Sequence, residues 1–246
     1  MSTLSTDLAY LVADSILYYD EPKRRAATIK HWIKIANKSP ELNNYPTLMA
    51  IICSLNSSIM SRLKRTWGAV SQKTKATLEH LYSIVDFSRN YAVLRQHLQK
   101  NVPPCLYFVG TYLTDLTFVD HGNQPLHTLF MDDGQMVVIN LDKHIKTTRI
   151  ISELQRFQNH YSLTEVPELP TWMQNELVHV RFNGAVTRQT FYRRFLALEP
   201  REPSRGGNGG NLQSRPNFSI IENAKNKWNF LSWIHPSNPT SVATNG

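Results

Sequence analysis

Residues that could do chemistry are sparse and scattered. The stretch "YLTDLTFVDHGN", Tyr112 to Asn123, holds the densest set: Thr117, Asp120 and His121, closed by Gly122. A hydroxyl, a carboxylate and an imidazole at this spacing can accept and donate hydrogen bonds. They do not form a nucleophile–base–acid set. The chain has nine histidines, none spaced as HxxxH or HExxH. His121 and His127 are separated by a proline-containing loop, so shared metal ligation is not expected. Asp132 and Asp133 sit in an expected turn, where paired acids are usually solvated. No GxSxG is present, and "RGGNGGN" has neither a preceding strand nor a following GK[ST]. These patterns lead to a binding function without covalent chemistry, cofactor or metal.

The 246 residues can bury a full core, and their formal net charge is +8. Such a balance suits nucleic acid, an anionic membrane or an acidic protein, and composition does not choose among them. No apolar run is long enough to span a bilayer. The start, "MSTLSTDLAYLVADS", lacks the basic region of a signal peptide. Cys53 and Cys105 are far apart, so a reducing cytosol is the default. Cys53, in "LMAIICSL", reads as a buried apolar thiol. "NSS" at Asn56 matches a glycosylation pattern that has no meaning without secretion.

The elements that must position Thr117, Asp120 and His121 are mostly helical. Leu8, Leu11, Val12, Ile16 and Tyr19 recur at three and four. Asp20 is the expected N-cap of a second helix, with Pro22 in its first turn and Ile29, Trp32, Ile33 and Ala36 inward. The aromatics of "KHWIKIANK" thus belong to the core, with a basic side left to water. Further helices are expected through Leu48–Leu55, before a turn at Gly68, over Leu78–Val85, and over Tyr91, Leu94 and Leu98. Leu113, Leu116 and Phe118 or Thr117 can share a helical face, which ends in a turn at 120–123. Asp133-Gly134 marks a β-hairpin. A long helix follows, with Ile145, Ile150, Ile151, Leu154 and Phe157 on its apolar side. The next stretch breaks at Pro167 and Pro170 and restarts as a helix, and a last helix ends near Pro200. Residues 203–246 are Gly-, Ser-, Pro- and Asn-rich, an expected flexible tail. Its aromatic segment 218–234 suits a membrane surface or partner groove, or folds back on the domain.

Four blocks then sharpen the function. They are Thr28 to Trp67, "PPCLYFVGTYLTDLTFVDHGN" (103–123), "INLDKHIKTTRIISELQRFQNHYSL" (139–163) and "FLALEPRE" (195–202). In order and spacing they resemble the catalytic domain of Ras guanine-nucleotide exchange factors, the RasGEF or Cdc25-homology domain. The resemblance covers about residues 8–202. It implies an all-α bowl with a protruding helical hairpin, formed by roughly Thr114 to His121 and the stretch after Ile139. The hairpin would pry open the nucleotide site of a Ras-, Rap- or Ral-like small GTPase, displacing Mg²⁺ and GDP. By the same resemblance, Thr117 intrudes where the GTPase holds Mg²⁺. His121 stands where the family carries a glutamate, beside Asp120, which keeps one acid. Met49, Asn56, Phe108 and Thr114 meet or support the switch regions, and Lys146 matches a basic position on the second hairpin helix.

Two departures follow. The tip reads "DHGNQP" rather than "EEGNP", and a protonated His121 would repel Mg²⁺ and attract phosphate. The family's "LDPxExAxQLT"-type opening is missing, so a domain truncated at its N-terminus (1–202) is expected. The first expectation is an exchange factor, cytoplasmic, with recruitment to a membrane's inner face left open. The second is a catalytically impaired GTPase-binding module or scaffold. A nucleic-acid or lipid-surface protein comes third, with no nucleic acid expected as partner.

Overall fold

The computed structural model describes residues 2–131, 134–164, 166–182 and 188–200. The aromatic segment 218–234 and the rest of the expected tail lie outside the described residues. Ten helices and one β-hairpin are described, in keeping with the all-α expectation. The core forms around α3 (Tyr45–Leu55), where Leu48, Met49, Ala50, Ile51, Ile52 and Leu55 are all buried. A helix apolar all round its circumference has to be surrounded. α1 (Ser2–Leu17) and α2 (Pro22–Lys38) pack against it. Asn44 caps α3, its side-chain oxygen accepting from the Thr47 N–H at 3.2 Å.

α2 buries Ala26, Ile29, Trp32, Ile33 and Ala36, as its spacing predicts, and the Trp32 indole donates to Ser15 Oγ at 2.8 Å. Its N-cap is Glu21, not Asp20, and makes no side-chain capping bond. The Asp20 carbonyl instead accepts from the Arg25 guanidinium at 2.7 Å. The 3-10 turn Met60–Arg62, α4 (Lys64–Gly68) and α5 (Gln72–Ile84) complete this side. Both α4 and α5 pack on α2.

The last described segment is pinned to this body by a buried charge. Glu199 follows α10 (Arg188–Leu198), the closing helix expected near Pro200. Its carboxylate meets the Arg25 guanidinium at 3.0 Å and the Thr66 hydroxyl at 2.7 Å. It also accepts from the Arg65 and Thr66 amides at 2.9 and 3.0 Å, the first turn of α4. Arg25 is fully buried and also bonds Thr66 Oγ1 and the Tyr19 carbonyl. Every polar group in this knot is therefore partnered, as burial requires.

The remaining elements build an arm. α6 (Ser88–Lys100) buries Leu94 and Leu98, but Arg89, Asn90 and Tyr91 are left-handed, with φ of 51°, 55° and 58°. Tyr91 is thus not the helical residue its spacing predicts. Each such residue costs about 1–2 kcal/mol, offset here by specific bonds. The Asn90 carbonyl accepts from Arg95 Nε at 2.7 Å, and its amide donates to Asp115 Oδ1 at 3.2 Å. Arg95 then grips Asp115 with two nitrogens, at 2.7 and 3.0 Å.

Asp115 belongs to α7 (Val109–Gly122), which runs on through the residues expected to form a turn. Before it, Leu106 pairs with the start of α3 through Leu106 N–H to Asn43 O and Tyr45 N–H to Leu106 O. Then come β1 (Leu126–Met131), β2 (Gly134–Ile139) and α8 (Leu141–Arg156). The strands are antiparallel, with Met131 opposite Gly134. Gly134 therefore closes the ladder and leaves 132–133, outside the described residues, between the strands. α8 ends at Arg156, one residue before the expected Phe157, and buries no residue. Of its expected apolar side, Ile150 and Leu154 touch the core and Phe157 is buried just past its end, while Ile145 and Ile151 are exposed. In α9 (Glu168–Phe182), which packs on α1, Pro170 sits inside the first turn instead of breaking the helix. A first-turn N–H has no intrahelical partner to lose.

Two outcomes follow. Burial alone would raise the Glu199 pKa, but hydrogen bonds from Thr66, the two amides and Arg25 outweigh it and hold the carboxyl below its ordinary range. A depressed carboxylate stabilises the fold fully above its unfolded pKa, and that contribution is lost as pH falls through the folded value. Glu199→Ala should cost about 3–5 kcal/mol in urea denaturation at neutral pH, because Arg25 is left buried and unpaired, and should flatten the acid limb of the stability–pH curve. Arg95→Ala should speed amide hydrogen exchange in α7 while costing global stability only about 1–2 kcal/mol, as loss of a half-buried charge-assisted pair does.

Candidate functional site

The arm meets the core only at its base. Tyr112 and Phe157 are buried on either side of Tyr107, with ring centroids 5.4 and 5.9 Å from it. In α7 only Thr111 and Tyr112 are buried. Beyond Tyr112, to Gly122, the helix thus extends about 15 Å at 1.5 Å per residue with no buried side chain, packed against α8.

The helical repeat places Leu113, Thr114, Thr117 and His121 in one stripe, with Phe118 on its flank. This stripe lies opposite the side that carries Tyr112, Asp115 and Val119. Leu113 is 53 % exposed and Phe118 68 %. Their apolar surface faces water instead of a core, which reverses the usual sense of an amphipathic helix. Leu116 lies on the other side of the helix from Phe118, so of the two expected groupings Leu113, Leu116 and Thr117 share a face and Leu113, Leu116 and Phe118 do not. Thr114 and Thr117 donate their hydroxyls to the Gly110 and Leu113 carbonyls, each at 2.8 Å. His121 Nδ1 lies 2.9 Å from the Thr117 carbonyl. A proton on that nitrogen leaves Nε2 of the neutral ring as an acceptor. Phe108, the N-cap of α7, lays its ring over Gly110, where a Cβ would stand 2.6 Å from it. Gly110 thus permits the close approach that seats Phe108 at the foot of the stripe.

Asp120, seven residues after Leu113 and three after Thr117, lies exposed at the edge of the stripe, but its carboxylate is engaged. Its carboxylate pairs with Lys143 Nζ of α8 at 2.7 Å, and the Lys143 ammonium holds the carboxyl below the ordinary aspartate range. The same ammonium donates to the Asp120 carbonyl at 3.2 Å. Lys146 donates to Asn123 Oδ1 at 3.0 Å, just past the end of α7. Two lysines of α8 therefore fasten the outer end of α7. Asn140, almost fully buried, caps α8 through Lys143 N–H and donates to the Gln124 carbonyl at 2.7 Å, which closes the neck of the β-hairpin. Beyond that neck Phe130 is 78 % exposed, and Val137 and Ile139 are exposed with it.

The other expected site residues are less accessible. Met49 is 1 % exposed inside α3, so it can support a contact surface but cannot itself meet a partner. Asn56 is half-buried at the C-cap of that helix. Met49 and Asn56 therefore sit in the body, whereas Thr114, Thr117, Asp120, His121 and Lys146 come together on the arm. Sequence reasoning missed Lys143, Arg95 and Asn140. Asn140, just before a helical repeat and three residues from the amide it caps, carried a local signal. The Arg95–Asp115 and Lys143–Asp120 pairs join separate helices and had none. Among the described residues no group of three or more His, Cys, Asp or Glu could hold a metal ion. No described helix is long and apolar enough to cross a membrane. Cys53 is half-buried rather than fully buried, and desolvation pushes its thiol up to about 12, which keeps it protonated, in line with the inert thiol expected.

Comparison with known proteins identifies this architecture. The sequence pattern of the RasGEF domain matches residues 1–145, which include α1–α7, the β-hairpin and the start of α8. The chain is 34 % identical over 218 residues to Cell division control protein 25 of Candida albicans, covering 88 % of this chain and 16 % of that protein. It is 31 % identical over 199 residues to Ras-specific guanine nucleotide-releasing factor 2 of Danio rerio, with 80 % and 15 % covered. It is 33 % identical over 190 residues to Ras guanine nucleotide exchange factor Y of Dictyostelium discoideum, with 77 % and 12 % covered. The chain thus spans about a sixth or less of the length of these relatives. With more than half of its residues matched, α7 and the β-hairpin among them, the chain belongs to the RasGEF domain family.

Proposed function

We propose that this chain is a guanine-nucleotide exchange factor that inserts the α7–α8 arm into the nucleotide site of a Ras-type small GTPase. The observation that carries this reading is the exposed stripe of Leu113, Thr117, Phe118 and His121 on a helix that is buried only at its base and tied to α8 at its outer end. The names of the relatives, Ras-specific guanine nucleotide-releasing factor and Ras guanine nucleotide exchange factor, supply the class of partner. Exchange of this kind needs no acid, base or nucleophile. It needs differential binding, because a factor that prefers the empty GTPase weakens nucleotide by the same factor that nucleotide weakens it. A picomolar nucleotide is held by about 16 kcal/mol, and each tenfold loosening takes about 1.4 kcal/mol. Burying Phe118 or Leu113 would contribute about 1.5–3 kcal/mol each.

In this reading Thr117 and His121 carry the polar part of the insertion, near the GTPase's Mg²⁺ and phosphate. Asp120 keeps the arm's tip in register through Lys143 and does not itself displace the metal. Met49 and Asn56 back the contact surface, Phe108 and Thr114 line the foot of the arm, and Lys146 steadies α7 through Asn123. Residues 1–202 are taken as the exchange domain.

Release of fluorescent GDP from purified Ras, Rap and Ral proteins tests this directly. Wild-type chain should accelerate release from at least one, and Phe118→Asp should cut that acceleration about tenfold or more, since it loses about 1.5–3 kcal/mol of burial. Phe118 is exposed, so its unfolding midpoint should not move. Unchanged release with Phe118→Asp would refute the insertion. The second reading, a GTPase-binding module with weak or no exchange, is favoured by one observation: the stripe carries an imidazole where the resemblance expects a carboxylate, and the nearby Asp120 is tied to Lys143. His121→Glu separates the two. A large gain in release rate from a nearly inactive wild type selects the module. An active wild type with little gain selects the exchange factor.

A further inference from the structure

The chain's charge is not spread over its surface. Residues 21–85, from the N-cap of α2 to the C-cap of α5, hold eleven Lys and Arg against three Asp and Glu. That balance of +8 equals the formal net charge of the whole chain, so the remaining residues are neutral, with sixteen of each sign. The arm itself, residues 109–156, carries six acids and four Lys or Arg. The cationic excess therefore does not lie on the arm.

The fold concentrates it further. On α2, Lys23, Lys30 and Lys34 fall within one narrow stripe at spacings of seven and four, opposite the buried Ile29, Trp32 and Ala36. All three are exposed, and they span about 16 Å. Exposed Lys64 and Arg65 of α4 and Lys73 of α5 sit on helices packed against α2. Lys23 and Arg65 line the same open depression with Glu21, Pro22 and Ala69. Glu21 is already engaged with Arg24 at 3.3 Å, and no acid among the described residues forms an ion pair with Lys23, Lys30 or Lys34. Across α2, α4 and α5 no large apolar side chain is exposed. A protein partner would need such an anchor at the centre of its contact. Stacking on single-stranded nucleic acid would need exposed aromatics.

We propose that this face is a docking surface for an anionic lipid bilayer, which α2 meets along its length through Lys23, Lys30 and Lys34. A charged plane is the partner that engages lysines spread along a helix all at once, without any apolar anchor. None of these residues belongs to the arm, so the arm remains free while the α2 face is adsorbed. The inference stands independently of the exchange reading.

The test is co-sedimentation of the full chain with phosphatidylcholine vesicles, with and without phosphatidylserine. Wild type should bind only the anionic vesicles, and binding should fall steeply as salt rises above about 0.1 M. The variant Lys23→Gln/Lys30→Gln/Lys34→Gln should weaken binding about a hundredfold, at about fivefold per charge. The control Arg89→Gln/Lys100→Gln/Arg193→Gln removes the same net charge from exposed positions outside both α2 and the arm and should change binding only a few-fold. GDP release from a soluble GTPase should be equal in the two variants. Equal losses of vesicle binding in both variants would overturn the proposal, as would wild-type failure on anionic vesicles. Retained binding in the α2 variant, or tight binding to a DNA or RNA duplex without vesicle binding, would overturn it too.

Discussion

A helix that shows its apolar residues to water must be held by something other than its own burial. That constraint organises this molecule. α7 gives the core only Thr111 and Tyr112, so the arm stays upright through contacts at its base and cross-links at its outer end. At the base, Tyr107 lies between Tyr112 and Phe157, and Arg95 clamps Asp115. At the outer end, Lys143 and Lys146 of α8 tie down Asp120 and Asn123. The strained turn Arg89–Tyr91 fits the same logic: left-handed backbone is tolerated where it delivers Asn90 and Arg95 to the clamp. The result is an exposed face that is pre-ordered, so a partner need not supply the entropy of ordering it.

The rest of the fold exists to make that base rigid. α3 is surrounded on all sides, and its first residues bond the strand-like segment at Leu106 that leads into α7. The Arg25–Glu199 knot closes the body by joining α2, α4 and the segment after α10. A buried pair of this kind contributes modestly to net stability but strongly penalises misassembly, because either partner alone is a buried charge.

Much of this was legible in the residues. The spacing of Ile29, Trp32, Ile33 and Ala36 set the buried face of α2, and the "DG" signal located the β-hairpin within a residue. The stripe on α7 was half visible: Leu113 and Phe118 were seen as apolar and helical, but periodicity alone says nothing about whether such residues face a core or water. Position also misled where chemistry looked obvious. Asp120 is the only acid at the tip, yet its carboxylate serves a lysine 23 residues away, and no local pattern announces a pair between separate helices. Pro170 and the residues 120–122 failed as helix ends for a different reason. A first-turn proline loses no hydrogen bond, and tertiary contacts with α8 extend α7 past its intrinsic stop. The +8 excess was a number without a location until α2, α4 and α5 brought its lysines together.

The most direct measurement compares the affinity of this chain for one Ras-type GTPase in two states, stripped of nucleotide and saturated with GDP and Mg²⁺. An inserted arm competes with nucleotide for the same space, so the empty protein should bind at least a hundredfold more tightly, corresponding to about 2.8 kcal/mol of coupling. Equal affinity for the two states would contradict it, since a partner that ignores the nucleotide cannot drive its release.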